Sequence, residues 1–213
     1  MSCINRLDYA AESLVCPHTA EADAFVLSHE LPSRRWRGSC QQGQARIIMN
    51  LRDPRAVFLS LLDFSDWRVP NPQDSWKPVE FRRQAYKQAF STREELGLAL
   101  IHDECLDDDP FTPWLNLRRS RTLFHHPAVL KVRYEDFFQT GEKEKLIPRV
   151  CHYLGLPEPE DSKTLLRSAI AAPSPTKNAM LPDRWRTELS PNLREAFMAK
   201  HGDLVREFGY PLD

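Results

Sequence analysis

The sequence predicts an α/β fold in three layers, a parallel sheet flanked by helices, on three observations. Three short runs are mostly apolar: AFVLSH (24–29), RIIMNLR (46–52) and AVLKVRYE (128–135). Stretches with helical spacing lie between and after them. The runs are continuous rather than alternating, as expected of strands covered on both faces, which is the usual condition of parallel sheets.

Taken in order, residues 1–24 stand apart as an N-terminal segment whose order the sequence leaves open, and 25–213 read as one domain. The opening MSCINRLDYAAESLV carries acids and lacks an apolar core behind a basic start, so no signal peptide is expected. AAESLV and TAEADAF read as helical. The strand at 46–52 runs into an Arg-Asp-Pro step. There Asp53 suits an N-cap and Pro54 the first helical position, with Val57, Phe58, Leu61 and Leu62 on one face. Residues 78–106 read as one or two helices, 142–156 as a helix closing at Gly155, and 160–172 as another. The stretch 190–210 runs from a Ser-Pro cap to a glycine stop. Two Pro-rich segments with lone aromatics, 65–78 and 172–191, suit loops that cover a site. No internal repeat and no second domain is evident.

A formal charge of −1 and a pI near 6.7 argue against a general nucleic-acid or membrane-surface binder. Basic clusters at 33–38, 82–83 and 118–121 read first as solvated faces. The 5 cysteines are scattered without metal-ligand spacing, so reduced thiols and a cytoplasmic setting are expected. No apolar run approaches the ~18 residues of a membrane span. No metal is expected: HDECLDDDP (102–110) lacks the glycine turn and terminal Glu of a calcium loop. His125 and His126 read as surface residues, and Glu135-Asp136 as hydrogen-bonding structure near a site.

Ligands of α/β sheets gather at the carboxyl ends of the strands. All three strands deliver polar residues there: His29, Arg52, and Tyr134 with Glu135. Arg52 leaves its strand beside a helix N-terminus, where free amides and the dipole favour an anion. Together with the Ser60 hydroxyl it offers charge-assisted hydrogen bonds of roughly 1.5–3 kcal/mol each to a phosphate. The competing reading pairs Arg52 with a neighbouring carboxylate and turns Ser60 back onto its own helix. The residues alone leave these two readings level.

NLRDPRAVFLSLLDF (50–64) resembles the 3′-phosphate-binding segment of sulfotransferases that use 3′-phosphoadenosine 5′-phosphosulfate (PAPS). SHELP (28–32), LKVRYEDF (130–137), HYLGLP (152–157), TKNAMLPDRWRTELSP (176–191) and FGYP (208–211) are similar to further family segments, in the family's order. The resemblance covers 25–211 and implies a P-loop NTPase-like α/β fold. It implies that Arg52 and Ser60 bind the 3′-phosphate of PAPS, or of the product adenosine 3′,5′-bisphosphate, with help from Lys177. It places Tyr134 at the adenine side, gives Trp185 the anchoring of a loop over the nucleotide, and makes His29 the general base toward a hydroxyl or amine. A small-molecule or carbohydrate acceptor is implied, without nucleic acid or membrane.

The family's phosphate loop, Pro-Lys-Ser/Thr-Gly-Thr-Thr-Trp-Leu, has no counterpart here: no glycine precedes Gly38 and no lysine precedes Lys77. The sequence therefore reads as N-terminally incomplete. The loop's lysine would stabilise charge on the leaving group. In the middle segment Leu117 stands where the family commonly has a histidine, so the acceptor pocket is not specified. Three readings follow: a sulfotransferase, a degenerate homologue that holds the bisphosphate, and an interaction protein whose sheet is completed by another copy or a partner chain.

Overall fold

The computed structural model describes residues 2–4, 24–26, 46–70, 77–102, 121, 124–139, 141–155, 164 and 182–212. The chain divides into two units, Met1–Ala45 and Arg46–Asp213. In the first, β1 (Ser2–Ile4) pairs in parallel with β2 (Ala24–Val26), Ser2 opposite Ala24. The sequence reading places no strand at β1, because three residues are too few to show a period. The rest of the expected strand at 24–29, including His29, lies outside the described residues.

In the second unit β3 (Ile47–Leu51) pairs in parallel with β4 (Val129–Arg133), in register from Ile47 opposite Val129 to Leu51 opposite Arg133. The architecture is α/β. Among the described residues each sheet is two strands wide, and helices make up most of the remainder.

Helix α1 (Pro54–Ser65) starts at the expected cap: the Asp53 side chain accepts from the Arg55 amide and Pro54 opens the first turn. Its buried side includes Ala56, Phe58, Leu59 and Leu62, so it turns toward Leu59, while Val57 and Leu61 stay half-buried. The helical stretch at 78–106 resolves into α2 (Lys77–Ala89) and α3 (Arg93–His102). Their break is a reciprocal cap, with the Thr92 amide donating to Glu95 Oε2 and the Glu95 amide to Thr92 Oγ1, each at 3.1 Å. A 3-10 turn (Tyr134–Phe137) follows β4, then α4 (Glu142–Leu154), which closes at Gly155. Helix α5 (Arg184–Glu188) precedes α6 (Pro191–Glu207), where Ser190 Oγ accepts from the Leu193 amide at 3.1 Å.

The main core joins α1, α2, α3 and α6 through Phe58, Leu62, Tyr86, Leu100, Phe197 and Leu204. Each such side chain contributes about 1.5–3 kcal/mol by leaving water. Helices α3 and α6 approach closely at Gly97, where a Cβ would lie 2.7 Å from Leu193 Cδ2. A smaller cluster of Val132 and Leu146, with Ile48, Leu130 and Phe137, packs α4 on the β3–β4 pair.

The basic pair Arg82-Arg83 is buried rather than solvated. Arg83 donates to the carbonyls of Asp63, Phe64 and Val69 at 3.0, 2.9 and 2.7 Å, and so satisfies the C-terminal end of α1.

Candidate functional site

Because β3 and β4 run in parallel and in register, the residues that follow them, Arg52 and Tyr134, emerge side by side at the carboxyl edge. The Arg52 Cζ lies 4.6 Å from the Tyr134 ring centroid, within cation–π range. Its Nε is buried without a hydrogen-bond partner. Arg149, whose Nε is likewise buried without a hydrogen-bond partner, engages another of its nitrogens and donates to the Lys131 carbonyl at 3.0 Å. Arg52 has the tyrosine face and, among the described residues, no carboxylate.

The acids beside it are committed elsewhere. Asp53 holds Arg55 through two contacts, Nε to Oδ1 at 3.0 Å and Nη2 to Oδ2 at 2.7 Å. Glu135 accepts from the Asp53 amide at 3.0 Å and from the Tyr210 hydroxyl at 2.8 Å. Asp136 accepts from the Arg133 amide at 3.3 Å and lies 3.6 Å from Arg149.

The N-terminus of α1 is not an open anion site, in contrast to the sequence expectation. Asp53 places its own carboxylate on the Arg55 amide at 2.9 Å, and its carbonyl accepts from Val57, also at 2.9 Å. Any anion at this edge must therefore be held mainly by side chains. Ser60 is half-buried on α1, about 9 Å along the axis from Pro54 at 1.5 Å per residue.

Trp185 is buried on α5, with the Arg55 guanidinium 3.8 Å from its ring centroid and Arg186 at 4.5 Å. This contact joins α5 to α1 directly behind Asp53. His29 and Lys177 lie outside the described residues, so among the expected site residues the structure brings Arg52 and Tyr134 into contact and places Ser60 and Trp185 on flanking helices.

A family model described as sulfotransferase domain matches residues 12–199. The chain belongs to the sulfotransferase domain family. Searches of curated proteins and of solved structures each returned no match.

Three residues of this sulfotransferase-family edge escape sequence reasoning: Arg55, Arg133 and Tyr210. Arg133 donates to the carbonyls of Phe208 and Gly209 at 3.0 and 3.3 Å and lies 4.8 Å from the Tyr210 ring centroid. The C-terminal FGYP segment is thereby tied to the end of β4. Gly209 is required there, with φ +73 and Arg133 Nη2 only 2.8 Å from where a Cβ would stand. The one available signal was the FGYP resemblance, which marks the segment but not its partners. Burial, and then the charge of Glu135, push the Tyr210 phenol well above its ordinary pKa.

A second polar cluster lies at the other end of α1. Arg93 pairs with Asp63 at 2.5 Å and Asp66 at 3.1 Å, and Arg184 reaches Asp63 at 3.0 Å and Glu188 at 2.6 Å. Burial acts to raise the Asp66 pKa, but hydrogen bonds from Arg68 and Arg93 outweigh it and hold the carboxyl below its usual range. The Arg184 hydrogen bond lowers Glu188, and that same bond raises Arg184. Each charge here has an opposite partner, which marks a structural cluster.

Among the described residues no group of three or more His, Cys, Asp or Glu could hold a metal ion. No helix among them is long and apolar enough to cross a membrane.

Proposed function

We propose that this chain binds the 3′-phosphate of PAPS, or of adenosine 3′,5′-bisphosphate, at the carboxyl edge of β3 and β4, and transfers a sulfuryl group to a hydroxyl or amine. The observation that carries this reading is Arg52: a guanidinium held over Tyr134, Nε buried and unpartnered, with the adjacent carboxylates taken by other donors. A buried donor without an acceptor costs about 1–3 kcal/mol, and a phosphate oxygen would relieve it. The residues present therefore fit the nucleotide's 3′ end.

PAPS supplies the sulfuryl group and leaves as adenosine 3′,5′-bisphosphate. Arg52 offers its N–H fork to the 3′-phosphate, and Ser60 adds a hydroxyl donor from α1. Tyr134 presents its ring on the adenine side. Trp185 anchors α5 against Arg55, fixing the end of the segment that carries Lys177. His29 takes the acceptor's proton on a ring nitrogen, a task suited to a group that titrates near neutral pH. In this reading the chain has the three-layer α/β fold of a parallel sheet flanked by helices, and the acceptor is a small molecule or carbohydrate.

One sequence observation favours a second reading, binding without transfer. No Pro-Lys-Ser/Thr-Gly-Thr-Thr-Trp-Leu loop occurs in the sequence, so the groups that would hold the 5′-phosphosulfate are not written here. Calorimetry with adenosine 3′,5′-bisphosphate, paired with sulfuryl transfer from labelled PAPS to a panel of alcohols and amines, separates the readings. Binding that is lost in Arg52→Ala, together with transfer lost in His29→Ala, supports the enzyme. The same binding without transfer supports the degenerate homologue. An absence of binding by the wild-type chain refutes both.

A further inference from the structure

We infer that Arg55 and Tyr210 are positioning residues that keep Arg52 available by occupying the two carboxylates next to the strand ends, an inference that rests on the nucleotide reading of Arg52. A guanidinium beside free carboxylates would pair with them, and an incoming anion would then have to displace a bond already formed. The structure removes both competitors. Asp53, which follows Arg52 in the chain, is held at both oxygens by Arg55, whose own position is fixed beneath Trp185 at 3.8 Å. Glu135, which follows Tyr134, is held at Oε1 by the Asp53 amide and at Oε2 by Tyr210, whose ring lies against Arg133.

The two arrangements share Asp53, which donates its amide to Glu135 and gives its carboxylate to Arg55. Loosening either one returns an acid to the reach of Arg52. Arg55 and Tyr210 thus act on the anion through two carboxylates and need not touch it.

The test uses the full chain, calorimetry with adenosine 3′,5′-bisphosphate as the probe, and NMR of the Arg52 Nε–H. Arg55→Met frees the Asp53 carboxylate and is expected to weaken binding about tenfold, the scale of one partly buried charge pair. Adding Asp53→Asn, which keeps the N-cap but removes the competing charge, is expected to restore most of that loss. Arg52 Nε–H exchange should slow in Arg55→Met and recover in the double variant. Because Arg55 is buried, Tyr210→Phe with Glu135→Gln as its rescue supplies a second pair that leaves α1 intact.

A merely structural role predicts that the second substitution deepens the defect, and that outcome overturns the inference. Wild-type affinity in both Arg55→Met and Tyr210→Phe overturns it too. If the wild-type chain takes up no nucleotide, the functional reading falls, while the Nε–H comparison still decides whether the two residues keep Arg52 unpaired.

Discussion

Replacing Tyr210 by Phe deletes one hydroxyl and keeps the ring beneath Arg133. The hydroxyl donates to Glu135 Oε2 at 2.8 Å from a residue that is 8% exposed, so the loss leaves a half-buried carboxylate oxygen short of a donor. A hydrogen bond to a charged group is worth about 1.5–3 kcal/mol, and partial access of water to Glu135 places the cost near ~2 kcal/mol. Linkage adds a signature. The phenol is raised in the folded state, so folding holds its proton above the pH at which the unfolded chain releases it. The stabilisation is fully present below the unfolded pKa of ~10 and declines above it by up to ~1.4 kcal/mol per pH unit. Urea unfolding of wild type and variant should thus differ by ~2 kcal/mol at pH 8 and by less than half of that at pH 11. A difference that stays constant across this range would refute the argument, because it would mean that the lost group is not the titrating hydroxyl.

Two other perturbations test the frame around the edge. Trp185→Ala should cost about 3–5 kcal/mol in urea unfolding, the range for a buried tryptophan, since it also strips the cover from Arg55; a loss below ~1 kcal/mol would mean that α5 is not anchored there. Asp66 is held below its ordinary pKa by Arg68 and Arg93 against its burial, so its contribution is present above the unfolded pKa and fades as pH falls below about 4. Acid unfolding should therefore be shallower in Asp66→Asn than in wild type, and parallel curves would contradict the pairing.

Local chemistry was legible in the sequence, and distant partnership was not. Asp53-Pro54 and Ser190-Pro191 announce helix starts because cap and first turn are neighbours in the chain. The strands at 46–52 and 128–135 stand out because each is apolar along its length, and their ends give Arg52 and Tyr134 as site candidates. What the sequence hides is the choice of partner for each charge. Arg55 stacks on Trp185 and Tyr210 bonds Glu135 across long stretches of chain, where no period or spacing connects them. Arg82-Arg83 reads as a solvated pair because composition registers two charges, while the carbonyls that Arg83 satisfies belong to another element. The helix N-terminus misleads for a related reason. Residue type shows that an anion would be welcome there, and the geometry shows that Asp53 already supplies it.

Comparing two arginines can show whether Arg52 is a binding residue or a structural one. Burying a charged or polar group is costly unless it finds partners, so an arginine retained for stability should show them. Arg83 does, with contacts to two carbonyls in the last turn of α1 and to that of Val69 just beyond it, and Arg83→Met should destabilise by about 2–3 kcal/mol through the acceptors it leaves unpaired. Arg52 has a ring face and an unpartnered Nε, so Arg52→Met keeps an unbranched apolar side chain beside Tyr134 and removes the buried, unpartnered donor. Its stability should equal or exceed that of wild type, because relief of a buried donor that costs about 1–3 kcal/mol offsets the loss of one cation–π contact worth about 0.5–1 kcal/mol. Its binding of adenosine 3′,5′-bisphosphate should nevertheless be lost. Equal destabilisation by the two substitutions in urea unfolding would make Arg52 a structural residue and remove the observation on which the nucleotide site rests. Retained stability with lost binding would be the mark of a side chain whose partner is not part of the chain.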